Sequence, residues 1–139
     1  MPLHPLLLLT LFVFAGTLCL TLALVPLFAR LATARGLVDQ PNGRKVHTTP
    51  IPRIGGAAIF IAFYLTLGLA ALLFPAVSRP LIVEPGNMLL IAGSVLAFAV
   101  GLTDDFKRLL PWQKFAMQLA AAGLAYMGGI RIETIGYYS

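Results

Sequence analysis

The chain has 139 residues, of which 59% are hydrophobic and only 11% charged, with a formal net charge of +5. Soluble domains carry about a quarter charged residues, and a soluble fold this small could not hide so much apolar surface, so a water-soluble globule is excluded in favour of lipid. One cysteine, Cys19, excludes a disulfide framework and a cysteine-based metal site, and no aromatic-and-basic patch points to nucleic acid.

In chain order, four apolar runs predict four transmembrane helices, at about 6–29, 54–77, 86–103 and 112–130. The first is uncharged, lacks a basic region before it and is too long for a signal peptide; Pro26 falls near its end, where a kink is tolerated. The second opens on Gly55-Gly56, small residues that admit another helix or a ligand to the backbone. The third is entered through Glu84-Pro85-Gly86. The fourth spans if Lys114 snorkels to the interface, and its Gln118, at i,i+4 from Lys114, calls for a polar partner. The fold class expected is all-α, a polytopic helical membrane protein in one transmembrane domain over 1–139.

Eight of the ten basic residues fall in the loops 30–53 and 104–111 or, as Lys114, just after them; Arg79 and Arg131 lie elsewhere. The excess of basic residues predicts that these two loops are cytoplasmic and both termini outside. Arg30 and Arg35 read as topology signals. Arg44, Lys45 and His47 follow a Pro-Asn-Gly turn, and such a loop either holds phosphate or touches anionic lipid heads. Asp104 and Asp105 end the third run, where carboxylates are costly to desolvate. They are candidates for binding a divalent cation and for activating a nucleophile. A helix N-cap, or an Asp104–Arg108 ion pair at i,i+4, is the structural alternative.

Two blocks resemble the polyprenyl-phosphate N-acetylhexosamine-1-phosphate transferases. The first is Asp39-Gln-Pro-Asn-Gly-Arg-Lys-Val-His47, followed by Pro50-Ile-Pro52-Arg-Ile-Gly-Gly56. The second is Gly101-Leu-Thr-Asp-Asp-Phe-Lys-Arg-Leu109, followed by Lys114 and Gln118. The form of the first block resembles the branch acting on UDP-N-acetylglucosamine-like sugars. The resemblance implies a phosphotransferase of the bacterial inner membrane, with its active face cytoplasmic, that initiates a cell-envelope polysaccharide. Its reaction joins a UDP-N-acetylhexosamine to a polyprenyl (undecaprenyl) phosphate lipid and releases UMP. The cofactor it implies is Mg²⁺, with Mn²⁺ as the alternative, and a homodimer is an open option.

Carried over residue by residue, the resemblance makes Asp104 and Asp105 catalytic and metal-proximal. It makes Arg44, Lys45, His47, Arg53 and Lys114 substrate-binding. Family members have ten or eleven helices, and their later Asn-x-x-x-Asn-x-x-Asp block does not occur in these 139 residues. The chain therefore reads as the N-terminal part of that larger fold, a fragment or truncation expected to be inactive alone. The rival reading is a non-enzymatic helical scaffold or a piece of a transporter. A transporter would place ionisable groups at mid-span, whereas here they gather at one face.

Overall fold

The computed structural model describes residues 4–39, 51–52, 55–107 and 109–131. They form five helices: α1 Pro5–Ala34, α2 Gly55–Leu73, α3 Pro75–Val83, α4 Pro85–Lys107 and α5 Pro111–Met127. Two-residue strands, β1 Val38–Asp39 and β2 Ile51–Pro52, pair antiparallel with Val38 opposite Pro52 and Asp39 opposite Ile51. The molecule is an all-α membrane protein. Helices α1, α2 and α4 are each long and apolar enough to cross a membrane. Their outward faces carry large apolar side chains in the open: Phe14, Leu22 and Leu72 are about two-thirds or more exposed. Apolar surface on that scale fits lipid rather than water. At 17 residues, α5 is at the short end for a span.

The helix bounds depart from the apolar runs, because apolar length measures what lipid accepts rather than where backbone hydrogen bonding stops. Helix α1 continues past 29 through Arg30 to Ala34 and ends at Gly36, whose φ of 68° is the left-handed conformation glycine adopts without a Cβ clash. The Leu37 amide donates to the Ala32 carbonyl and that of Gly36 to Thr33, a Schellman stop. The run predicted as one helix to 77 is broken. Pro75 begins α3 after Phe74 leaves helical geometry at φ −125° and ψ 54°, and the Ser78 hydroxyl donates to the Ala70 and Phe74 carbonyls across the break. Helix α4 runs through Asp104 and Asp105 to Lys107, since nothing in Asp-Asp-Phe-Lys breaks a helix. The acids therefore sit on its last turn rather than in a loop from 104. Gly129, at φ 93°, ends α5 before the expected 130.

Packing follows small residues. In α2, Ala58, Ala62, Thr66 and Ala70 recur every four residues and are all buried. This stripe lets α1 lie close, so that a Cβ on Gly16 would come 2.7 Å from the Thr66 methyl. Helix α4 packs along α5 in the same way: a Cβ on Gly93 would sit 2.8 Å from the Ala121 carbonyl oxygen. Gly93→Val is therefore expected to force α4 and α5 apart and to cost about 1–3 kcal/mol. Reversible unfolding of the detergent-solubilised protein by SDS checks this, and an unchanged midpoint would refute the close contact.

Candidate functional site

The antiparallel packing brings the end of α1, the β1–β2 ladder, the start of α2, the end of α4 and the start of α5 to one end of the bundle. The ladder closes the neck of the first block: the backbones of Asp39 and Ile51 are paired, and α2 starts three residues after Pro52. Arg44, Lys45, His47 and Arg53, the basic residues expected to bind substrate, lie outside the described residues, as does Arg108.

The second block is described almost whole. Helix α4 carries its last turn past the α2 N-terminus, and between them lies a cleft of about 290 Å³. Its walls are Gly56 and Ala57 from α2, and Phe98, Gly101, Leu102, Asp104 and Asp105 from α4. Residues of both sequence blocks thus line one space, although 44 positions separate Ala57 from Gly101. The cleft is open beside its glycines: a Cβ on Gly56 or Gly101 would meet nothing within 4 Å.

The two acids are held differently. Asp104 presents one carboxylate oxygen to the Lys114 ammonium at 2.6 Å, and the other accepts from the Leu109 amide at 2.9 Å. Lys114 is on the first turns of α5, so the contact latches the α4–α5 corner. Both contacts favour the ionised carboxylate. The pair is partly exposed, with Lys114 at 37% and Asp104 at 29%, so water screens it. Asp105, one residue on and about 100° around the helix, lines the cleft and has no ion-pair partner among the described residues. The N-cap alternative does not hold: the acids are helical, and α5 starts instead from Leu110, whose amide donates to the Gln113 carboxamide. Lys114 reaches Asp104 rather than acting only as a snorkelling interface residue, and Gln118 is exposed.

A larger apolar groove of about 570 Å³ runs between α1 and α2, lined by residues such as Leu9, Phe14, Thr17, Ile59 and Phe63. It carries no acid or base. Among the lining residues of the two spaces, acids occur only in the smaller cleft.

Comparison with known proteins agrees with the motifs. The chain is 38% identical over 117 residues to the decaprenyl-phosphate N-acetylglucosaminephosphotransferase of Mycobacterium tuberculosis, a match covering 80% of this chain and 28% of that protein. It is 31% identical over 120 residues to a probable undecaprenyl-phosphate N-acetylglucosaminyl 1-phosphate transferase of Bacillus subtilis, covering 86% and 31%. Over about four-fifths of its length the chain matches the N-terminal portion of these transferases. It spans under a third of the length of these relatives. A transferase of Salmonella typhi acting on undecaprenyl phosphate, as its name states, is 27% identical over 108 residues, covering 78% of this chain and 27% of its own. No family model and no solved structure matches the chain. The matched portion carries the acid pair and the cleft that it lines.

What sequence reasoning missed is the Asp104–Lys114 latch and the stack of Phe98, which lines the cleft, on Phe60 of α2 with ring centroids 3.9 Å apart. A signal for the first was present: Pro111 after Leu109-Leu110 forces a tight corner, which turns Lys114 back toward α4.

Proposed function

We propose that this chain forms the acid-bearing wall of a transferase site that moves N-acetylglucosamine-1-phosphate from a UDP-sugar to polyprenyl phosphate. An oxygen of the carrier phosphate attacks the β-phosphorus of the UDP-sugar. The bond from that phosphorus to the bridging oxygen breaks, and UMP leaves with the oxygen. Polyprenyl diphosphate N-acetylglucosamine remains in the membrane. Direct displacement and a covalent intermediate exchange the same bonds overall. The observation that carries this reading is the cleft in which both sequence blocks meet, open at the charged end of an otherwise apolar bundle. A lipid substrate requires a site at the membrane boundary, and a soluble nucleotide requires one open to water.

In this reading the charged end is cytoplasmic, α5 is a fourth crossing, and Asp105 faces the reacting phosphates while Asp104 positions the corner. Arg44, Lys45, His47 and Arg53 neutralise the diphosphate from the first block. A hard divalent cation fits the donors present. Among the described residues no three acidic, histidine or cysteine side chains converge, whereas Mg²⁺ takes one or two carboxylates and completes its shell with substrate phosphates and water. Asp105, with Asp104 beside it, would hold that ion, which supplies charge stabilisation for the departing diphosphate oxygen. No Asp, Glu, Lys, Arg or His lies at the middle of α1, α2 or α4, so no observation favours a transporter piece.

The test uses membranes holding the complete gene product, UDP-N-acetylglucosamine labelled in the sugar, and added polyprenyl phosphate. Label is expected to enter the lipid phase with one UMP released per sugar, to stop on chelation, and to return with Mg²⁺ or Mn²⁺. Label that stays in the aqueous phase although the protein is inserted would refute the reading. In the same assay, Arg44→Ala and Lys45→Ala are expected to raise the apparent KM for the UDP-sugar about tenfold each at low salt, and by less at high salt, where the wild-type charge is already screened. An unchanged KM would leave these residues a topological role alone.

A further inference from the structure

The cleft stands on a ladder of contacts between α2 and α4 that the proposed chemistry does not use. Tyr64 and Ser94 share a hydrogen bond between their hydroxyls. Four residues nearer the cleft on each helix, Phe60 and Phe98 stack with ring centroids 3.9 Å apart and planes within 6° of parallel. The next positions in the same antiparallel register are the cleft walls: Ala57 and Gly56 on α2, Gly101 and Leu102 on α4. Ser94 precedes Asp104 by ten residues of α4, a rise of about 15 Å, so the hydroxyl pair lies roughly three turns below the acids. Phe98 belongs to both features, since it is one ring of the stack and also lines the cleft.

The polar rung is the unusual one. Facing helices in lipid gain little from apolar contact, since lipid tails are as apolar as the side chains they would replace. A hydroxyl pair is directional, and it fixes both the axial register and the rotation of the two helices. Ser94 also lies within hydrogen-bonding distance of the Ile91 carbonyl on its own helix, which fixes its rotamer. Phe60 packs against Tyr64 as well, at 4.7 Å between ring centroids, and so ties the polar rung to the stack. The stacked rings fill the space between the two helices at this level, and the glycines beyond them, Gly56 and Gly101, leave it open.

We propose that Tyr64 and Ser94, acting through the Phe60–Phe98 stack, are positioning residues that set the width and register of the cleft, and so place Asp105 opposite the N-terminus of α2. This rests on the transferase reading for its kinetic consequence but not for its structural one, and the test separates the two. In the complete gene product, Tyr64→Phe and Ser94→Ala are expected to lower kcat three- to tenfold with the KM for the UDP-sugar within twofold, and Ser94→Thr, which keeps the hydroxyl, to restore it. In parallel, with Cys19→Ser as background, Ala57→Cys and Leu102→Cys are introduced together and oxidised in membranes. Tyr64→Phe is expected to slow disulfide formation between them at least threefold. Slower cross-linking in Tyr64→Phe supports the clamp even if the protein has no transferase activity. Equal cross-linking rates with and without the Tyr64 hydroxyl overturn it, whatever the kinetics. Ser94→Thr no better than Ser94→Ala also counts against it.

Discussion

Asp105→Asn in the complete gene product is expected to lower sugar-phosphate transfer at least about 100-fold, with membrane insertion and expression unchanged. The substitution keeps the size and shape of the side chain and removes only the charge. Asp105 lines the open cleft and makes no ion pair among the described residues, so the unfolding midpoint is expected to stay near that of the unsubstituted protein. Asp104→Asn separates the two acids. It weakens the Lys114 contact and the α4–α5 corner, so its effect is expected to be smaller and to be accompanied by a lower unfolding midpoint. Transfer kinetics and SDS unfolding on both variants check this. Near wild-type turnover in Asp105→Asn at saturating Mg²⁺ would show that the acid lining the cleft is not the working one.

Filling the cleft is expected to have a comparable effect by another route. At Gly101 an added Cβ meets nothing within 4 Å, so the backbone tolerates a side chain there. Gly101→Ala should cost little activity. Gly101→Leu places four carbons into a space of about 290 Å³ that, in the proposed function, admits two phosphate groups. Turnover is expected to fall at least 30-fold while the unfolding midpoint holds or rises, because a helical glycine is replaced by a better helix former. A graded series through Ala, Val and Leu at this position measures it. Equal activity across the series would mean that substrate does not enter between α2 and α4.

Much of this is legible in the sequence. Uncharged runs long enough for lipid named the helices α1, α2 and α4, and Asp104-Asp105 at the end of one run drew attention on cost alone. The helix ends were less legible, because hydropathy is blind to backbone geometry. Asp-Asp-Phe-Lys stops an apolar run and continues a helix, while Leu-Phe-Pro does the reverse at Phe74. The different holding of the two acids was not legible, since it depends on the corner at Leu110-Pro111 bringing Lys114 back to Asp104 across ten positions. Nor was the aromatic stack: Phe60 and Phe98 look like any lipid-facing phenylalanine until the antiparallel register of α2 and α4 pairs them.

In the proposed function, one end of this bundle is a nucleotide-sugar site open to the cytoplasm. Gly101→Cys, with Cys19→Ser as background, puts a thiol in the cleft wall, where labelling by a membrane-impermeant maleimide can be compared in inside-out and right-side-out vesicles. The account predicts labelling in inside-out vesicles and protection when UDP-N-acetylglucosamine and Mg²⁺ are added together. Labelling in right-side-out vesicles only, or labelling in inside-out vesicles that the nucleotide sugar leaves unchanged, would contradict it.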